Sequence, residues 1–329
     1  MSRPEFKSGF AAEINSYLDY KVACGYKEQS FNIILREFDH FCIRRGITYV
    51  VFTKDDADAW SEKRDTEAST SHYARVNKVK CFMEYLSLKG YDVFLMHDVF
   101  FKATDFQPHI YTDDEILRYF SAVDSYSSGN SRMDAIQFPV LFRLLYCCGT
   151  RINETLGIRK RDVDLDNGII RLLETKNDCE RFIVLSAEMK GLLYQFSDKY
   201  FYLLDEDDYI FSSVSKTRRD ESRLYDIHRL ILRRAGIPYV GGGRGPRVHD
   251  WRHTFAVRSF KQMIDRGIDM YVALPILSTY LGHKTIYAKG GLSVCLAIAA
   301  PVSANTDLTQ ILCDSAHPFL DLFENLLRI

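Results

Sequence analysis

The chain has 329 residues, enough for two domains of ordinary size, and 47% of them are hydrophobic, so a sizeable core can be buried. No apolar run is long enough to span a membrane, and the opening MSRPEFKSGF lacks a signal-peptide pattern. A formal net charge of −1 argues mildly against a nucleic-acid binder, and eight cysteines without a CxxC pair suggest neither a zinc site nor a disulfide framework. A reducing, cytoplasmic setting is the simple reading.

Residues 8 to 90 read as four helices. Phe10, Ile14, Leu18 and Val22 fall on one face, with Gly25 as the stop. Phe31, Ile34, Leu35, Phe38 and Phe41 repeat the pattern before Gly46. Thr53 with Asp56 caps a third helix, and Val76, Val79, Phe82, Met83 and Leu86 line a fourth that ends near Gly90. Residues 91 to 111 carry no period, contain Pro108 and read as a linker. Thr112 with Glu115 then forms a capping box, and MDAIQFPVLFRLLYCCG is a further helix. Two strands, 168 to 173 and 181 to 186, pair across a turn near Asn177 and Asp178. Helices return near 187 to 198, 222 to 235, 253 to 267 and 271 to 282. The fold class is mainly α with a small antiparallel β-sheet, in two domains, 1–105 and 106–288, followed by a compositionally distinct segment, 289–329.

The average charge hides basic stretches: RINETLGIRKRD, SKTRRDESRLYDIHRLILRRAG and GGGRGPRVHDWRH. Such runs are usually solvated faces, but DNA binding needs a local positive surface and not a positive total. Four pieces within and around them stand out. Arg151 sits in GTRINETLGI, Lys176 in ETKNDCERFIVL, His249 and Arg252 in HDWRHTFA, and His283 in YLGHK. Each alone has a bland reading: a surface ion pair, an exposed turn lysine, a helix cap, a chance tripeptide. GGGRG at 241–245 is not a P-loop, because no GK[ST] follows.

In this order and spacing the pieces resemble the tyrosine recombinase (phage integrase) family, over residues 8 to about 288. The resemblance implies a helical core-binding domain and a catalytic domain that performs site-specific recombination on double-stranded DNA. It also implies a homo-oligomer, four copies on paired sites. Arg151 and Arg252 would clamp the phosphate with forked, permanently charged donors, and His249 would add a donor. Lys176 would be the general acid, His283 would orient the nucleophile or the phosphate, and His253 would support from behind. A tyrosine would attack phosphorus, forming a 3′-phosphotyrosyl bond without ATP, metal or other cofactor.

The pattern breaks at the tyrosine. The family places it about nine residues beyond the histidine of LGH, and here that position is Leu292. Tyr287, four residues beyond His283, is the last of the 20 tyrosines, and KGGLSVCLAIAAPVSANTDL follows, small and apolar. A change of reading frame after Ala288 or divergence would each produce this break. Tyr287 is the candidate nucleophile if the chain turns sharply; otherwise it packs a helix end. A displacement of five helical residues is about 7 Å along the axis, and catalysis tolerates roughly 1 Å, which favours packing. Phe319, Leu322, Phe323, Leu326 and Leu327 have helical spacing, read as a helix folded back on its own domain in preference to the exchange with a neighbouring protomer that the resemblance also allows. Three functions stay open: a recombinase, a DNA-binding remnant without cleavage, and a topoisomerase-like nicking enzyme.

Overall fold

The computed structural model describes residues 3–99, 107–126, 132–173, 180–239, 241 and 245–282. The chain divides into two compact units, Met1–Phe106 and Gln107–Ile329. The first is built on helices α1 (Ala11–Ala23), α2 (Gln29–Arg44), α3 (Lys54–Ser61) and α4 (Ser69–Leu88). Apolar stripes drive the packing: Phe38 of α2 meets Phe10, Phe52, Trp60 and Phe82 edge-on, with centroids 5.4, 5.6, 5.4 and 6.0 Å away. Thr53 caps α3 as its spacing predicts, accepting from the Asp56 N–H at 3.2 Å while its own N–H donates to the Asp56 carboxylate at 3.1 Å.

Two details depart from the sequence reading. Val22 is 47% exposed. Residues four apart drift about 40° per step round a helix of 3.6 residues per turn, so Val22 has rotated off the stripe that buries Phe10, Ile14 and Leu18. The stretch read as linker is also ordered at its start. The Phe94 N–H donates to the Phe52 carbonyl at 2.7 Å, and Met96 is buried in the helical core.

The second unit contains α5 (Asp113–Asp124), α6 (Arg132–Cys147), α7 (Ile152–Leu156), strands β1 (Val163–Asp164), β2 (Ile169–Leu172) and β3 (Arg181–Val184), then α8 (Ala187–Tyr200), α9 (Glu221–Arg234), α10 (Asp250–Asp265) and α11 (Met270–Tyr280). The strands form one antiparallel sheet in the order β1-β2-β3, with Ile170 opposite Ile183. Three strands stand where two were expected, because two-residue β1 is too short to show an alternation. Helix α7 escaped the sequence reading for the same reason, at five residues. Ile170, Leu172 and Ile183 turn into one core with Leu141 and Leu145 of α6 and Leu193 and Phe196 of α8. The chain is thus mainly helical with a small antiparallel sheet.

Candidate active site

Helix α6 ends at Cys147, and the chain reverses at Gly149, whose φ is +58°. A Cβ there would lie 2.4 Å from Cδ1 of Phe255, so only glycine lets the turn close against α10. Beyond it Thr150 is buried, its hydroxyl 2.6 Å from that of Thr155 in α7. These contacts fix the backbone of Arg151, which stands between α6 and α7. Its N–H donates to Glu154 Oε2 at 2.9 Å and caps the short helix. Its side chain turns inward, donating to Glu154 Oε1 at 2.5 Å and to the Gly282 carbonyl at 3.1 Å.

Arg252 arrives from α10, which begins three residues earlier than its periodicity suggested, so that Arg252 lies in the first turn and His249 at the cap. Arg252 is 3% exposed. It donates to the Gly149 carbonyl at 2.7 Å and to the Leu281 carbonyl, and its Nη1 lies 4.0 Å from Glu154 Oε2. Arg181, the first residue of β3, donates to the same Glu154 oxygen at 2.6 Å and to the Tyr280 carbonyl. Three guanidiniums therefore share one carboxylate, and a positive excess remains in the described cluster.

The electrostatics follow. Burial alone would raise the Glu154 pKa, but Arg181, the Arg151 N–H and Arg252 outweigh it and hold the carboxyl below its ordinary value. Burial, then Arg151 and Arg181, depresses the Arg252 pKa, though a guanidinium stays charged at neutral pH. This is the electrostatic condition of a pocket that gains by receiving an anion. The His249 and His253 rings meet edge-on at 4.9 Å. His249 keeps solvent contact, yet desolvation, His253 and the charges of Arg252 and Arg151 push its pKa down to about 3. Burial and Arg252 take His253, half-buried, down to about 4. Tyr280 donates its hydroxyl to the Cys148 carbonyl at 3.3 Å, and burial raises its pKa, so it serves packing.

Of the residues singled out from the sequence, the fold brings Arg151, His249 and Arg252 to one place. Lys176, His283 and Tyr287 lie outside the described residues, as do Leu292 and the C-terminal apolar run. Glu154 and Arg181 belong to the cluster and were not singled out. Glu154 left a signal, an acid three residues after Arg151 at a helix start; Arg181 left none, being one more arginine beside an apolar strand.

With this geometry in view, comparison with known proteins is decisive for class. Residues 111–288 match the phage integrase family, and the chain belongs to it. It is 25% identical over 284 residues to y4rB of Sinorhizobium fredii, which carries the name integrase/recombinase; the alignment covers 84% of this chain and 90% of the relative. It is 34% identical over 149 residues to the tyrosine recombinase XerA of Saccharolobus solfataricus, covering 45% of this chain and 42% of XerA. Among solved structures, XerH recombinase bound to its difH substrate before cleavage superposes with a TM-score of 0.60 at 18% identity, covering 84% of this chain and 79% of XerH. A lambda integrase dimer on a core site gives 0.60 at 15%, covering 90% and 79%. At these identities the two structures establish the fold alone.

Proposed function

We propose that this chain binds duplex DNA and works by site-specific recombination chemistry at a phosphodiester held in the arginine pocket. The carrying observation is the convergence of Arg151 and Arg252 on one buried carboxylate, with two positive charges to one negative among those three described side chains. Arg151 and Arg252 take the non-bridging phosphate oxygens, whose charge grows as phosphorus is attacked. His249, neutral at physiological pH, contributes an N–H donor and no charge. In the complete reaction a tyrosine oxygen bonds to phosphorus and the bond to the 5′ oxygen breaks. The tyrosine gives up its proton to solvent, Lys176 gives one to the leaving 5′ oxygen, which departs as a hydroxyl, and a 3′-phosphotyrosyl link stores the bond for rejoining. His283 orients the attack. The chemistry needs neither metal nor nucleotide.

In this chain the position nine beyond His283 is Leu292, and Tyr287 stands four beyond. We infer that DNA binding and the phosphate pocket are kept while the covalent step is impaired. Residues 1–105 and 106–288 serve as helical DNA-binding and catalytic domains, and 289–329 as an atypical tail. Solved relatives support a duplex partner and an assembly of copies: XerH is bound to difH, and lambda integrase forms a tetramer on a Holliday junction.

The test starts from a pool of random duplexes enriched by binding, which supplies a site. Affinity for that site should fall steeply with salt, by about 10³–10⁵ between roughly 50 and 200 mM if 6–10 phosphates are contacted. No affinity in low salt, or affinity indifferent to salt, sinks the reading.

A further inference from the structure

We propose that Arg181 is a positioning residue that holds the arginine pocket in its anion-receiving state by occupying Glu154; this rests on the phosphate-binding reading above. Three elements meet at its guanidinium. Its own strand, β3, brings it in. Nη2 donates to Glu154 Oε2 in α7, and Nη1 donates to the carbonyl of Tyr280 at the end of α11. Nε is buried and lacks a hydrogen-bond partner among the described residues. Gly282, at φ +68°, passes close by: a Cβ there would lie 3.4 Å from Arg181 Cδ, 3.6 Å from its Nε and 3.7 Å from Arg151 Nη1. Arg181 and Arg151 thus both lie beside the same glycine, and both touch Glu154.

The arrangement matters for charge. Glu154 is 1% exposed, so its carboxylate satisfies its acceptor capacity from the protein and not from water. Arg181 and Arg151 take one oxygen each, and the nearest Arg252 nitrogen stays at 4.0 Å. Remove Arg181, and the carboxylate swings its unmet charge toward Arg252 and Arg151. It would then offset more of the charge on the two guanidiniums that a phosphate needs. Arg181 also ties α11 to the sheet, so its loss loosens the segment whose carbonyls, at Tyr280, Leu281 and Gly282, receive all three arginines. A residue that only stabilised the fold would have neither effect on anion affinity.

The experiment titrates inorganic phosphate into the full chain by calorimetry, so it needs neither target sequence nor cleavage. Arg181→Met keeps an unbranched apolar stem and removes the charge and the fork. It should weaken phosphate binding about tenfold or more, the scale of a lost charge-assisted contact. Arg181→Lys keeps one charge without the fork and should fall between; it also serves if Arg181→Met fails to fold. The decisive arm is the double variant. In a Glu154→Gln background, where there is no charge left to occupy, Arg181→Met should weaken phosphate binding far less than in the wild type. Equal losses in both backgrounds, or unchanged phosphate affinity in Arg181→Met and Arg181→Lys, overturn the proposal. Arg252→Ala is the control on the underlying reading. If phosphate still binds that variant, the pocket itself is misassigned; if Arg252→Ala loses phosphate while the Arg181 variants keep it, only the role of Arg181 falls.

Discussion

Tyr111 lies flat against Trp251, the ring centroids 3.7 Å apart and the planes parallel. Trp251 is the residue before Arg252, so the aromatic stack sets the entry of α10 into the pocket. The Tyr111 N–H extends the link by donating to the Thr254 hydroxyl at 3.1 Å. Behind the stack His228 is 1% exposed, with Nδ1 2.7 Å from the Tyr119 hydroxyl and Nε2 3.4 Å from that of Tyr111. The two tyrosine hydroxyls and the imidazole form a buried polar knot in which a charged imidazolium would be cut off from water.

A pH prediction follows from that knot. Burial takes the His228 pKa from 6.5 down to about 3. The folded value lies below the unfolded one, so the contribution to stability is full above about pH 6.5 and is lost as pH falls toward 3. The slope for one such group is about 1.4 kcal/mol per pH unit below the unfolded pKa. His253, half-buried, shifts in the same direction and adds to the trend. The melting temperature should therefore drop between pH 7 and pH 5. His228→Gln should melt lower at pH 7 but with a shallower slope. Identical slopes for both proteins would show that His228 is not the titrating group.

Gly149→Ala tests the turn that delivers Arg151 and anchors Arg252. The position has φ +58° and no room for a Cβ beside Phe255, and its carbonyl accepts from Arg252 at 2.7 Å. The strained backbone alone costs about 1–3 kcal/mol. The variant should lose melting temperature by several degrees and also lose phosphate affinity, because the Arg252 acceptor moves. Phosphate titration beside a thermal melt checks both; a normal affinity would mean that the Gly149 carbonyl does not set Arg252.

These two sites show where sequence was readable. Helix stripes and the capping boxes of Thr53 and Thr112 were legible because periodicity and local hydrogen bonding are written within a few residues. Arg151, His249 and Arg252 were legible as a motif set, recognised by the resemblance of their order and spacing to a family and not by helix periodicity. Glu154 and Arg181 were not, since what defines them is a contact between residues 27 apart. Nor was Val22, where a few tens of degrees of helical drift separate core from solvent. The stack of Tyr111 on Trp251 spans residues that no local pattern connects.

The two pocket arginines should separate binding from chemistry. Arg151→Ala or Arg252→Ala should abolish any DNA cleavage and weaken duplex binding only modestly, because many other phosphate contacts remain. Arg252 is buried and holds two carbonyls, so its alanine variant should also melt lower than the Arg151 variant. Gel-shift titration with the enriched duplex, alongside cleavage of its nicked form, makes the comparison. Full cleavage by either variant would remove that arginine from the clamp.

The last prediction concerns the attacking group. As written, the chain should form little or no covalent DNA adduct. On the proposed reading the attacking tyrosine stands nine residues beyond His283, where this chain has Leu292, and a leucine side chain has no atom that can attack phosphorus. Tyr287 could substitute only if its phenol reached the in-line position beside Arg151 and Arg252, and a five-residue change in helical position shifts a side chain by about 7 Å along the axis. In-line transfer loses on the order of 10²-fold for a misplacement near 1 Å. The protein is incubated with the enriched duplex carrying a nick that traps cleaved product, then denatured and resolved on a gel. Wild type and Tyr287→Phe should both show free protein while both still retard the duplex under native conditions. An adduct in the wild type that disappears in Tyr287→Phe would make Tyr287 the nucleophile and the chain an active recombinase. Leu292→Tyr alone should not restore the adduct, because the surrounding KGGLSVCLAIAA differs in composition from a polar tyrosine-bearing helix along its whole length.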